Sequence, residues 1–512
     1  MYLFVEPISK NIGMYVSAYP LPIMEIASFI KFNKPDVEIG IISLSVDYGL
    51  PLSSAGSEKV SKEFIDDIIE MKPKGIGVSC TAISQAEEAI RISELIKKHD
   101  PEIFVFLGGY FPTIYHKEIF ARTTAVDLIV VGEGEIPSLM ILECLEKKQD
   151  PRNENIPNLV WVKNGKPHFT KQGYRFDMKE KVPLNLNLLR HSKKYDILPY
   201  SFSRGCPYNC NFCMEEYIRP IRKEVPSDII KKDLINLSKT AGSNKLLVCD
   251  ALFKSFDIAP LIRELNMNIR FETRCDVLSP SIIPEFADIC GLLVLGFESA
   301  SYDTLKRMNK VRDKEHYKKY ISNTTAIFKE AVNNEIPVMV FMIGGYPGDT
   351  ERDLQDSLAF AEKLAAYQGP GGHVFKIGEC HVYPNTKIYD LALSLPEVVF
   401  DNDGVFGQNI VRKPSKDLQY DTILEYNKEI YNLSNNTKKL QNGFLNMMPF
   451  FRLPVIALSD DIIPVECFKD NDKDVFKVYS ENLDIFREYA PGLLTKYREW
   501  SSKERKTRIL PI

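Results

Sequence analysis

Along the first 150 residues, short apolar runs alternate with amphipathic segments, and this alternation limits the fold more than any other feature of the chain. Tyr2–Val5, Ile39–Val46, Gly75–Ser79, Ile103–Leu107 and Asp127–Val131 read as strands, and Met24–Phe32, Phe64–Met71 and Pro137–Glu146 as helices. Ser84, with Glu87 after it, reads as a capping box. It opens a helix whose Ala86, Ala89, Ile90, Leu95 and Ile96 share roughly one face. Apolar strands separated by amphipathic helices need cover on both faces of a parallel sheet. The expected class is α/β, with a doubly wound parallel sheet over residues 1–150.

Such sheets bind ligands beyond the carboxyl ends of their strands, at a switch point. The residues there are Ser79-Cys80-Thr81, Gly108-Gly109 and Gly132-Glu133-Gly134-Glu135. Glycines at these turns let the backbone approach a flat ligand or a nucleotide tail, although they serve equally as plain turn residues. No G-x-G-x-x-G follows the first strand and no G-x-x-x-x-G-K-[ST] occurs, which argues against an ordinary dinucleotide or P-loop site.

Composition narrows the class. Of 512 residues, 44% are hydrophobic and 26% charged, as in globular chains. Lys+Arg 65 against Asp+Glu 69 leaves −4, so no basic excess points to nucleic acid. Apolar stretches such as Val338–Ile343 fall far below the ~18 residues that cross a bilayer. The N-terminus lacks the basic and apolar regions of a signal peptide, so a cytoplasmic location without a membrane partner is expected. Ten cysteines, three of them in one short loop, suit one metal or cluster site better than a disulfide framework.

That loop is Ser203-Arg204-Gly205-Cys206-Pro207-Tyr208-Asn209-Cys210-Asn211-Phe212-Cys213, directly after an apolar strand, Leu198–Phe202. Three thiolates can hold three irons of a four-iron cluster and leave the fourth open, as catalytic metal sites do. Zinc is the competing reading, but no C-x2-C or H-x3-H pair follows to complete a site. The remaining cysteines, Cys80, Cys144, Cys249, Cys275, Cys290, Cys380 and Cys467, are scattered and read as small core residues.

The spacing C-x3-C-x-aromatic-C, Phe212 included, resembles the signature of the radical S-adenosylmethionine enzymes. Downstream, Lys245–Asp250, Asn268–Arg274, Gly291–Glu298, Ile336–Ile343 and His373–Tyr383 read as strands. Between them lie amphipathic segments near Ile229–Leu237, Ile258–Leu265, Tyr317–Val332 and Leu354–Leu364. With the strand before the cysteines this matches the superfamily's partial (β/α)6 barrel, in which chemistry sits at the strands' carboxyl ends. Asp250 with Phe253, Arg274, Glu298 with Ser299, and Gly344 fall there, and the resemblance implies that they line the S-adenosylmethionine pocket. Arg274 and Glu298 stand out, because a charge ending an apolar strand needs a partner.

The two halves in this order are similar to the cobalamin-binding branch of the superfamily. That resemblance rests on Gly108-Gly109-x-x-Pro112-Thr113, Gly132-Glu133-Gly134-Glu135 and a hairpin-like Asn158–Phe169 with an Asn164-Gly165 turn. It implies that Ser79, Thr81, Gly108, Gly109, Gly132 and Glu133 face cobalamin. The D-x-H-x-x-G of mutases is absent, since the second strand ends Ser45-Val46-Asp47-Tyr48-Gly49, so the cofactor would be base-off; the same absence fits a domain that has lost cobalamin. The expected division is a cobalamin-binding domain (1–150), a linker with a β-hairpin (151–195), the barrel (196–400) and a mostly helical, substrate-shaping region (401–512). In that last region Leu424–Leu433 and Phe476–Tyr489 are amphipathic and Lys503–Arg508 is basic.

The resemblance implies an enzyme: a 4Fe-4S cluster on Cys206, Cys210 and Cys213 cleaves S-adenosylmethionine, and cobalamin delivers a methyl group to an unactivated carbon or a phosphinate phosphorus. The substrate is expected to be a small molecule or peptide, and the electrons to come from an external reductant such as flavodoxin or ferredoxin. A cobalamin-dependent rearrangement, ring contraction or cyclisation is the alternative, and a non-catalytic cobalamin or redox sensor a further one. A methylthiotransferase would need a second cysteine trio, whereas only Cys80 and Cys144 lie in the first domain.

Overall fold

The computed structural model describes residues 1–8, 18–51, 54–195, 197–401, 409–435 and 462–463. Two compact units emerge. One takes Met1–Leu198 with Lys232–Ser243; the other takes Pro199–Lys231 and the described chain from Asn244 to residue 435. The amphipathic stretch Phe476–Tyr489, the basic end Lys503–Arg508 and Cys467 lie outside the described residues.

In the first unit the strands are β1 (Tyr2–Glu6), β2 (Ile39–Ser43), β3 (Gly75–Ser79), β4 (Phe104–Gly108), β5 (Leu128–Val130), β6 (Leu159–Lys163) and β7 (Lys166–Phe169). They form one sheet in the order β2-β1-β3-β4-β5-β6-β7. The first five are parallel, so the switch point falls between β1 and β3. The hairpin β6–β7 joins this sheet as its antiparallel edge rather than standing apart as a connector. Asn164 and Gly165, both at positive φ, make its turn.

Helices α1 (Leu21–Asn33), α2 (Ser54–Met71), α3 (Ala86–His99), α4 (Tyr110–Arg122) and α5 (Glu135–Glu146) connect these strands. In α3 the residues Ala86, Ala89, Ile90, Ser93 and Ile96 are buried, with Glu87 and Glu88 in the first turn and Lys97, Lys98 and His99 in the last, as the helix dipole favours. Two local expectations fail. The second strand stops at Ser43, and Leu44–Asp47 turns into a short helix in which the Asp47 carboxylate accepts from the Ser43 amide at 2.9 Å. Ser84 does not cap α3, because it lies inside a 3₁₀ turn that runs from Ile83 to Gln85. Helix α4, which begins immediately after Gly109, was not anticipated.

From Leu198 on, the chain forms β8 (Leu198–Tyr200), α6 (Ser227–Thr240, most of which groups with the first unit), β9 (Lys245–Val248), α7 (Ala259–Glu264), β10 (Asn268–Arg274), β11 (Cys290–Glu298), α8 (Lys314–Asn333), β12 (Val338–Gly344), α9 (Glu351–Ala365), β13 (His373–Glu379) and α10 (Tyr420–Asn432). The six-stranded sheet runs in sequence order, β13-β12-β11-β10-β9-β8, and pairs parallel from β9 to β13, as a partial barrel requires. Strand β11 is buried along its whole length. The expected strand His373–Tyr383 ends at Glu379. Beyond residue 400 the described chain is not all helix: Val411–Lys413 pairs with Val399–Phe400, and residues 462–463 pair with Leu50–Pro51. Among the described residues no helix is long and apolar enough to cross a membrane.

Candidate functional site

The cysteine loop leaves β8 through a short antiparallel ladder, Ser203–Arg204 against Lys223–Glu224. Gly205 lies at φ +84°, and a Cβ there would stand 2.2 Å from the Ile221 carbonyl oxygen, so only glycine fits. The Cys206 amide donates to the Arg219 carbonyl at 3.1 Å and the Cys213 amide to that of Cys210 at 3.0 Å. Asn211 ties the loop to its surroundings: its amide donates to Met308 O at 2.9 Å and its side chain to Arg307 O at 2.7 Å. Backbone bonds therefore fix the trio's geometry before any guest binds.

Cys206 and Cys210 are buried, Cys213 is half-buried, and all three are free thiols. Burial pushes the Cys206 thiol up and that of Cys213 up to about 12, so thiolates here need a compensating cation. Part of that charge is built in. Arg274, ending β10, donates through Nη1 to Cys210 Sγ at 2.9 Å, and its guanidinium lies 4.0 Å from the Tyr208 ring centroid. Asp276 grips the other edge of the guanidinium in a bidentate pair at 2.9 and 2.8 Å. Burial opposes the Arg274 charge, while Asp276 and Cys210 hold its pKa above the ordinary value. Among the described residues no three His, Cys, Asp or Glu side chains close round a single ion. Three free thiols on one loop beside a guanidinium fit a cluster in which each thiolate takes its own iron.

The partner that Glu298 needs is Lys310, at 2.8 Å, with the lysine almost wholly buried. Lys310 also donates to Gly296 O at 2.6 Å and stands 5.9 Å from the Phe212 ring centroid. Glu298 sits at φ +73°, next to a break in register between β11 and β12, a strained placement for a non-glycine residue. The break turns its carboxylate toward Lys310. Ser299 bonds to Ser357 and to the Ser301 amide. Asp250 accepts from the Phe202 amide at 2.7 Å and from Ser203 Oγ, clamping the strand that leads into the loop, and burial raises its pKa to about 7. Glycine at 344 makes room for α10, since a Cβ would stand 2.3 Å from Asn427 Oδ1. Cys206, Cys210, Phe212, Arg274, Glu298 and Lys310 are brought together; Asp250, Ser299 and Gly344 act one layer out. Lys310, Asp276 and Tyr208 were not singled out from the sequence, because Lys310 sits in a polar run that reads as surface. Cys249, expected in the core, is exposed.

In the first unit the turns beyond β3, β4 and β5 knit to one another. The Gln85 carboxamide oxygen accepts from the Thr81 amide and hydroxyl and from the Ala82 amide. Thr113 donates to Gly109 O and accepts from the Gly132 amide, joining the second and third turns. Glu133 accepts from the Phe176 amide at 2.8 Å. Gly109, at φ +114°, lets these turns close, because a Cβ there would stand 2.3 Å from Cys80 O. Gly108 differs: its Cβ would meet nothing nearer than Val130 O at 3.9 Å, and that of Gly132 nothing nearer than 3.6 Å. Ser79 pairs with Gly108 in register. Open glycines beyond β4 and β5, at the carboxyl edge of the sheet, fit a flat corrin better than an ordinary side-chain core.

Comparison with known proteins agrees with this geometry. Residues 19–140 match the B12 binding domain and residues 200–361 the Radical SAM superfamily. An uncharacterized methyltransferase of Pyrococcus horikoshii is 23% identical over 390 residues, 73% of this chain and 78% of that protein. The cobalamin-dependent S-adenosylmethionine radical enzyme OxsB, solved with aqua-cobalamin and S-adenosylmethionine, superposes with a TM-score of 0.64 at 15% identity, over 83% of this chain and 65% of that larger one. TsrM, the radical S-adenosylmethionine methyltransferase of Kitasatospora setae, gives 0.62 at 14% identity, over 79% and 81%. At such identities the two structures speak for the fold. With a B12-binding domain ahead of a barrel that opens on the C-x3-C-x2-C loop, the chain belongs to the cobalamin-binding branch of the radical S-adenosylmethionine enzymes.

Proposed function

We propose that this enzyme methylates an unactivated carbon, or a phosphinate phosphorus, of a small molecule or peptide, with base-off cobalamin as methyl carrier. The observation that carries the reading is the buried thiol trio with Arg274 on Cys210, at the carboxyl end of a parallel barrel that follows a B12-binding domain. When bound, the cluster and cobalamin supply reductive cleavage of S-adenosylmethionine and methyl carriage. Cys206, Cys210 and Cys213 are the iron ligands. Arg274 offsets thiolate charge, and Tyr208 and Asp276 keep its guanidinium in plane. Phe212, Glu298, Ser299, Gly344 and Asp250 shape the pocket for S-adenosylmethionine, with Lys310 holding the Glu298 carboxylate in place. Ser79, Thr81, Gly108, Gly109, Gly132 and Glu133 build the cobalamin cradle, Gly108 and Gly132 by open backbone and the others by fixing the turns.

The work divides as cobalamin binding (1–150), an edge hairpin (151–195), radical chemistry (196–400) and substrate shaping (401–512). Like other radical S-adenosylmethionine enzymes, this one needs a substrate and a reductant; flavodoxin or ferredoxin fits that need. A reducing cytoplasm suits the free thiols, and neither nucleic acid nor membrane is called for by a charge of −4.

The test supplies methyl-deuterated S-adenosylmethionine, a strong reductant and candidate substrates to anaerobically reconstituted protein. Labelled product should appear with matching amounts of S-adenosylhomocysteine and 5′-deoxyadenosine, and Cys210→Ala should make neither product nor 5′-deoxyadenosine. Unlabelled product with 5′-deoxyadenosine alone would replace methyl transfer by a rearrangement or cyclisation.

A further inference from the structure

Beyond the edge hairpin, residues 174–176 fold back on the turn that follows β5. Asn158, itself buried, accepts from the Tyr174 amide and donates to the Tyr174 carbonyl oxygen, both at 3.1 Å. Two residues on, the Phe176 amide donates to Glu133 Oε2 at 2.8 Å. Arg175 is thereby pinned on both sides, and its guanidinium stands beside Gly132, where a Cβ would lie 3.6 Å from Nη1. Among the described residues this guanidinium makes one hydrogen bond, from Nη1 to the Tyr174 carbonyl oxygen at 3.2 Å, and no ion pair. Nε and Nη2 are left without an acceptor, on a side chain that is only half-buried.

The surroundings of that guanidinium are acidic. Burial raises the neighbouring Tyr174 hydroxyl to about 12, and the charges that add to the rise are Glu180, Glu135, Glu133 and Asp177. An anion arriving here meets carboxylates on several sides, so it needs a cation placed in advance. Arg175 is that cation, with a planar fork that matches a phosphate. Reach decides which part of a guest it meets. Gly132 stands two strands beyond β3, ~10 Å at the usual strand spacing, so a flat ring centred at the switch point presents a side arm to it. The amide arms of a corrin are neutral. Among its side arms only the nucleotide tail carries a negative charge, on its phosphodiester.

We propose that Arg175, which lies outside the matched B12-binding residues 19–140, holds the tail phosphate of the corrinoid beside the Gly132 turn. The inference rests on the cobalamin reading above and deepens it, and binding alone tests it. Free cobalamin keeps its base on cobalt and must release it to bind base-off. Cobinamide and cobinamide phosphate have no base to release and differ only in the phosphate. Titrated into the reconstituted full chain and followed by absorption, cobinamide phosphate should bind about tenfold or more tighter than cobinamide, as a charge-assisted bond implies. Arg175→Gln should bring the two to one affinity by weakening cobinamide phosphate alone. Arg175→Lys should keep part of the gap, since the charge stays and the fork goes. Affinity for S-adenosylmethionine should be unchanged in both variants. A gap that survives Arg175→Gln, or a variant that loses cobinamide as well, would overturn the assignment. A parent that binds both corrinoids alike loses only this inference; one that binds neither, and retains no cobalamin after desalting, loses the cobalamin reading with it.

Discussion

At the carboxyl ends of the first sheet, polar side chains serve the turns themselves: Gln85 holds Thr81 and Ala82, Thr113 holds Gly109 and Gly132, and Glu133 holds Phe176. What is left open there is backbone, at Gly108 and Gly132. At the carboxyl ends of the barrel the reverse holds. Arg274, Asp276, Glu298 and Lys310 form two buried ion pairs, one of which reaches the Cys210 sulfur. A large flat ligand can be received by backbone and shape, so its site needs glycines at fixed places and few charges. An anionic cluster and a zwitterionic ligand need paired charges in low dielectric, and those pairs hold only while complete.

This contrast is broken most directly at Lys310. Its removal leaves Glu298 buried, uncompensated and still at positive φ, so Lys310→Met should cost about 3–5 kcal/mol, the range for breaking a buried pair. Chemical denaturation followed by circular dichroism reads the loss, and S-adenosylmethionine affinity should fall with it. Changing both partners, Lys310→Met with Glu298→Gln, should recover much of the stability but not the affinity. A single variant as stable as its parent would mean that the barrel's charges are no more critical than the first sheet's hydrogen bonds.

Adjacent glycines sharpen the other side. Gly109→Ala puts a Cβ 2.3 Å from Cys80 O at φ +114°, and strain with overlap should cost about 2–4 kcal/mol whether or not cobalamin is present. Gly108→Ala meets nothing within 3.8 Å and should change stability by less than about 1 kcal/mol. Gly108→Leu should instead lower the cobalamin retained after desalting. Identical behaviour at the two positions would make both of them turn residues and nothing more.

The same contrast explains what could be read from the sequence. Strand β3 was bounded correctly because its apolar run stops at a turn on both sides, and β10 because Ile269, Phe271 and Thr273 alternate with polar residues as far as Arg274. The cysteine loop was plain because one short segment carries all three ligands. Arg274 and Glu298 were visible as charges ending apolar strands. Lys310 was not, because its partner is twelve residues away and its neighbours Asn309 and Arg312 look solvated. Helix α4 escaped notice because Gly109 and Pro112 read as a loop, although a proline fits the first turn of a helix. The strand at Ile39 was extended too far because nothing local announces that Asp47 folds back on the Ser43 amide.

A smaller effect than at Lys310 or Gly109 is expected at the end of β1, where the half-buried Glu6 has no ion pair among the described residues. Glu6 accepts from Ser43 Oγ at 2.8 Å, and burial raises its pKa from 4.5 to about 7, with the Ser43 bond lowering it and Asp47 raising it. Asp47 beside it is raised to about 6 by burial, against the Ser43 amide, Arg190 and Lys194, with Asp67 adding to the rise; His191 Nε2 lies 3.9 Å from its Oδ1. A raised carboxyl pKa means that the folded protein holds the proton more tightly than the unfolded chain. Stability therefore falls as pH rises, from the unfolded value near 4.5 to about 7 for Glu6, and is level above that. At 1.36 kcal/mol per unit the Glu6 share is at most about 3 kcal/mol, and less because Glu6 keeps some contact with water. Glu6→Gln, neutral at every pH, should match the parent near pH 5 and be more stable by about 1–3 kcal/mol near pH 8. Melting curves at the two pH values decide it: a variant that melts no higher than its parent at the upper pH means that water already solvates Glu6, and this end of the first sheet is then as open as Gly108.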